Sequence, residues 1–187
     1  MKEIRKLGLI LLVITAIAAA ALGYVNMITK GPIAEQNRLA DIAARKQVLP
    51  QAEDFEQLDI KSPGNYLIIK EIYKGLQGGK DIGYTIKTVP NGYGGPVEVM
   101  IGISSDGTII GVNIGNHTET PGLGAKATDE AFKGQYTNKT ADMNIKVIKS
   151  GTPSDDQISA IAGSTITSVA VTDGVNEAIK YFNENLR

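Results

Sequence analysis

One stretch near the N-terminus constrains this chain more than any other. Leu7 to Val25, LGLILLVITAIAAAALGYV, is nineteen residues without a charge. A helix of that length spans about 28 Å, close to the ~30 Å hydrocarbon core of a bilayer. Lys2, Arg5 and Lys6 precede the run, and Lys30 follows it, with Glu35 beyond. This bias places the N-terminus in the cytoplasm and the rest of the chain on the extracytoplasmic side. A signal peptide cleaved at Ala18-Ala19-Ala20 is the rival reading. The run is longer than the apolar region of such signals, which favours an uncleaved anchor embedded in membrane lipid.

The remainder of the 187 residues suffices for one domain of roughly 130–150 residues. A net charge of −1 gives no basic excess for nucleic acid, and no nucleic-acid motif is present. The absence of cysteine excludes disulfides, cysteine-ligated metal centres and thiol catalysis in this chain. One histidine is too few for a histidine-based metal site.

Gly31-Pro32 marks the exit from the anchor, where Pro32 either opens a new helix or kinks a continuing one. Ile33 to Leu49 reads as a helix with Leu39, Ile42, Ala43 and Val48 as a sparse apolar face, closed by Pro50. The expected organisation is therefore an anchor over 1–30, a helical stalk over 31–50 and a folded domain over 51–187. Strands are predicted at 66–74, 82–88, 97–103, 108–114 and 145–149, with turns at Gly78-Gly79 and Asp106-Gly107. A short helix is expected from Thr128 to Phe132, and a final amphipathic helix carries Val171, Val175, Ala178, Ile179, Phe182 and Leu186. Hairpin-linked strands with helices at the ends give an α+β class with an antiparallel sheet. No βαβ series and no GxGxxG accompany them, so a Rossmann domain is excluded.

Two short segments carry chemistry. Ala162-Gly163-Ser164-Thr165-Ile166-Thr167-Ser168 places hydroxyls and a glycine where the last helix begins. Such residues cap helices routinely. The same place, with free N–H groups and the positive end of the helix dipole, also suits a phosphate. His117-Thr118-Glu119-Thr120-Pro121-Gly122-Leu123-Gly124 contains a strong turn signal at Pro121-Gly122, and Gly124 permits close backbone approach. His117 beside such a turn is read as structural. Glu119, Asp155 and Asp156 form no recognisable acid–base pair.

Both segments resemble the signatures of the bacterial FMN-binding domain family, found in the RnfG-type and NqrC-type members of two membrane electron-transfer complexes. The first resembles the Ser/Thr-Gly-Ala-Thr motif, whose closing threonine carries FMN through a phosphoester in that family; the matching residue is Thr165. Ala162, Ser164 and Ser159 stand where the family usually has Ser or Thr, Ala, and Asp. The second resembles the Glu-Thr-Pro-Gly-Leu-Gly loop that lies against the flavin ring. The resemblance therefore implies FMN covalently held by Thr165, with Gly163, Ser164, Thr167, Ser168, Glu119, Thr120, Gly122, Leu123 and Gly124 around it. Gly92-Tyr93-Gly94-Gly95-Pro96 and the short length resemble the Rnf-type members most. That implies an electron-carrying flavoprotein working with the other membrane subunits of an Rnf complex and matured by a flavin transferase. A stand-alone extracytoplasmic flavin reductase and a non-redox anchored binding domain remain as alternatives.

Overall fold

The computed structural model describes residues 2–61 and 63–187. The chain divides into two compact units, Met1–Asp41 and Ile42–Arg187. Helix α1, Lys2–Val48, begins in the first and ends in the second, with Pro32 inside it. In the first unit it is long and apolar enough to cross a membrane, and its apolar window is fully exposed. The hydroxyls of Thr15 and Thr29 donate back to the carbonyls of Leu11 and Val25, both at 2.9 Å, so neither needs another partner in hydrocarbon. Of the residues expected on an apolar face, Leu39 and Ala43 are exposed, Ile42 is half-buried and Val48 is buried, so only the end of that face is packed.

The second unit is built on a five-stranded antiparallel meander. Its strands are β1 Asp54–Leu58, β2 Ile69–Gln77, β3 Lys80–Thr88, β4 Val97–Ser104 and β5 Ile109–His117, in spatial order 1-2-3-4-5. The β2–β3 hairpin closes at Gly78-Gly79, whose φ values of 56° and 77° only glycine adopts readily. At the β4–β5 hairpin the Asp106 carboxylate accepts the Ser104 hydroxyl and the Thr108 N–H.

Alternation along the strands sends Ile72, Ile86, Val99, Ile101, Ile103 and Val112 into the core. There they bury with α3, Thr165–Asn185, through Val171, Val175, Ala178, Ile179 and Phe182. The last turn of α1 also packs on the sheet. Gly102 and Gly111 are cross-strand partners, and the Val48 backbone rests on them. Arg45 stacks over Tyr73 at 3.6 Å and pairs with Glu71 at 2.9 Å.

The chain after β5 passes through a 3₁₀ turn, Gly124–Thr128, and the single-turn helix α2, Glu130–Lys133. It then forms β6, Lys146–Ile148, and β7, Gln157–Ser159. These two pair in parallel as a small second sheet beside the expected antiparallel one. β7 delivers the chain to the start of α3. Gln135 fixes that delivery by accepting the Ser159 N–H at 2.7 Å and donating to its carbonyl at 3.3 Å.

Candidate functional site

Two tight turns face each other beside the start of α3. In Thr120–Leu123 the Leu123 N–H reaches the Thr120 carbonyl at 3.1 Å, with Gly122 at φ 78°. In Ile161–Ser164 the Ser164 N–H reaches the Ile161 carbonyl at 2.9 Å, with Gly163 at φ 76°. Each places glycine at the third position of a β-turn with positive φ, which a side chain would oppose. A third loop, Asn91–Pro96, closes through the Gly92 N–H on the Gly95 carbonyl at 2.8 Å.

The second turn feeds directly into α3, so Thr165 is the first helical residue and Ser164 the N-cap. The hydroxyls there have distinct fates. Ser164 makes no side-chain cap bond. Ser168 is fully buried; its hydroxyl accepts the Ile161 N–H and donates to the Ser164 carbonyl, both at 2.9 Å, which locks the turn onto the helix. Thr167 is buried and donates to Glu119 Oε2 at 2.7 Å. Thr172, one turn on, donates to the Ser168 carbonyl and meets the Tyr136 hydroxyl, both at 2.8 Å. Burial holds the Tyr136 phenol above its ordinary range. Thr165 is half-buried, and its hydroxyl makes no hydrogen bond among the described residues. Capping by a side chain is thus not how this helix begins.

Between the loops lies a cleft of about 480 Å³, within the usual range of ligand sites. Glu119, Thr120, Leu123, Gly124, Gly163, Ser164, Thr165 and Thr167 all line it, so most of the sequence-predicted residues converge. Gly122 and Ser168 do not: the first is the outer corner of its turn, and the second points inward. Tyr93 and Ile166 also line the cleft, 73% and 57% exposed, and sequence reasoning did not single them out. A tyrosine isolated between two glycines was the available signal for the first. Among the described residues no lysine or arginine lines the cleft, so any anion there must rely on backbone N–H groups and the helix dipole. His117 accepts the Glu119 N–H on Nδ1 at 3.3 Å, a structural bond at the root of the first turn.

Residues 92–180, which include every residue lining this cleft, match the FMN-binding domain family. The structure is similar to NqrC of Shewanella oneidensis, with a TM-score of 0.50 and 21% identity over 61% of this chain and 59% of that one. It is likewise similar to the C subunit of the Na(+)-translocating NADH-quinone reductase of Parabacteroides distasonis, with a TM-score of 0.51 and 22% identity over 66% and 67%. Residues 1–48 match the RnfG N-terminal region. The G subunit of the Na(+)-translocating ferredoxin:NAD(+) oxidoreductase complex of Acetobacterium woodii is 44% identical, over 97% of this chain and 92% of that protein. The G subunit of the ion-translocating oxidoreductase complex of Methanosarcina acetivorans is 36% identical over 96% and 95%. The chain belongs to this RnfG family.

Proposed function

We propose that this chain is the membrane-anchored electron carrier of an Rnf-type ion-translocating ferredoxin:NAD⁺ oxidoreductase, and that its FMN is esterified to Thr165. The observation that carries the reading is the state of Thr165. Its hydroxyl lines the cleft at the first position of α3 and makes no hydrogen bond among the described residues, whereas the hydroxyls of Thr167 and Ser168 are engaged inside the fold and Ser164 precedes the helix as its buried N-cap.

The cleft fits the group. The N–H groups of the first helical turn have no acceptor within the helix and are available to a phosphate. Leu123, Ile166 and Tyr93 offer apolar surface to a flat ring. Gly124, whose missing side chain makes room for the Glu119 carboxylate, brings backbone to the cleft wall, where N–H groups can bond ring carbonyls. When bound, FMN accepts and passes on one or two electrons. The residues of this chain tether it, confine it and shield it from water.

Esterification is a group transfer without a redox change. A bond forms from Thr165 Oγ1 to the FMN phosphorus as the phosphoanhydride of an activated flavin nucleotide breaks. A nucleoside monophosphate and the hydroxyl proton leave. A flavin transferase would supply this step. A covalent link suits a cleft without cations, which has little hold on a dissociable dianion. The anchor confines the flavin beside the membrane subunits at high effective concentration. The cationic residues before Leu7 support an N-terminus in the cytoplasm and a flavin domain on the other side.

The test is expression in cells that contain the transferase, followed by denaturing electrophoresis. A band that keeps flavin fluorescence in the wild type and loses it in Thr165→Ala is expected. Equal fluorescence in both, or none in the wild type, would refute the reading.

A further inference from the structure

Glu119 is buried, 6% exposed, and no cation pairs with it among the described residues. Its two oxygens are satisfied instead by donors from two other segments. Oε1 accepts the Gly94 N–H at 3.0 Å, and Oε2 accepts the Thr167 hydroxyl at 2.7 Å. Two glycines cradle the carboxylate. A Cβ on Gly92 would collide with Oε1, and one on Gly124 would collide with Oε2 and with the Thr167 hydroxyl. One carboxylate therefore joins the Asn91–Pro96 loop, the Thr120–Leu123 turn and the start of α3. Burying a carboxylate is unfavourable unless hydrogen bonds offset its desolvation, so the three segments are drawn to one arrangement around it.

We infer that Glu119 is a positioning residue. It sets the approach of Leu123 and Tyr93 to Thr165, and so holds a ring tethered at Thr165 in the cleft, without taking part in the attachment. The inference rests on the reading of Thr165 as the flavin carrier. Thr165 itself makes no bond to Glu119, so its hydroxyl stays available when the clamp is cut. A ring freed from the cleft loses contact with Leu123 and Tyr93 and meets water. Its fluorescence and midpoint potential then move toward those of FMN in solution.

The experiment uses the full chain, purified in detergent from cells containing the transferase. The variants are Glu119→Ala, Glu119→Gln and Thr167→Val, with Thr167→Ser as the conservative control. Thr167→Val keeps the shape of the side chain while removing its donor, so it tests the clamp even if Glu119→Ala does not fold. Intact mass reports attachment; flavin fluorescence and redox titration report the ring. The expected result is an unchanged flavin mass increment in each variant. A several-fold rise in fluorescence and a shift of potential toward free FMN accompany it in Glu119→Ala and Thr167→Val. A smaller change is expected in Glu119→Gln and wild-type behaviour in Thr167→Ser. Unchanged fluorescence and potential in both Glu119→Ala and Thr167→Val, or loss of attachment in Thr167→Val, would overturn the inference. Absence of flavin from the wild type would instead refute the reading of Thr165.

Discussion

The Leu123 side chain lies against Gly163, so that a Cβ on Gly163 would sit 3.2 Å from Leu123 Cδ2. The two glycine turns thus meet in the folded domain, although they lie far apart in the chain. Gly163→Ala faces two penalties there, a left-handed φ of 76° and a crowded neighbour. The cost should be about 1–2 kcal/mol from the backbone alone. Denaturant unfolding of the full chain in detergent checks this; a variant as stable as the wild type would mean that the turn relaxes freely.

Gly102 makes the sheet dependent on the end of α1. A Cβ at that position would run into the Val48 carbonyl, a backbone atom that cannot rotate away. Gly102→Ala should cost about 1–3 kcal/mol, as overpacking does. It should also lift the last turn of α1, exposing the Leu49–Gln51 link to limited proteolysis. Cleavage there at the wild-type rate would contradict the packing.

Tyr93 is 73% exposed and lines the cleft from the Asn91–Pro96 loop. Tyr93→Ala should change stability by no more than about 0.5 kcal/mol, as exposed substitutions do. If the ring lies in this cleft, the same variant should alter flavin fluorescence. A variant neutral in both readouts would remove Tyr93 from the site.

The Asp106 carboxylate is held below its ordinary range by the Ser104 hydroxyl and by the Thr108 N–H. A depressed folded-state pKa means that the unfolded chain binds a proton first as pH falls. The stabilisation is therefore complete above the unfolded value of 3.8 and is lost as pH drops through the lower folded value. Melting temperatures of the wild type and Asp106→Ala should differ most near neutrality and converge under strong acid. A gap that stays constant with pH would mean that the charge contributes nothing.

Much of this could be read before the structure. The Asp106-Gly107 hairpin and the strands beside it carry local turn chemistry and alternation, and these survive in the fold. Val171, Val175, Ala178, Ile179 and Phe182 repeat at helical spacing and are all buried. Other features depend on partners far along the chain. β7 has three residues, and its parallel pairing with β6 leaves no periodic trace. β1 alternates weakly because it lies at a sheet edge. Glu119 was legible as part of a loop signature, but its bond to Thr167 spans 48 residues, and nothing local to either residue announces it. Ser168 read as one hydroxyl among several; only the fold turns it inward to secure Ile161 and Ser164.

The central claim concerns one oxygen, Thr165 Oγ1, and peptide mass spectrometry addresses it directly. Protein purified from the membranes of cells containing the flavin transferase should yield a peptide bearing one FMN phosphoester. Fragmentation should place it on Thr165, and not on Thr167, whose hydroxyl Glu119 already engages. Thr165→Ala should yield the bare peptide, and Thr167→Ala should leave Thr165 modified. An unmodified wild-type peptide, or FMN found on another residue, would contradict the account.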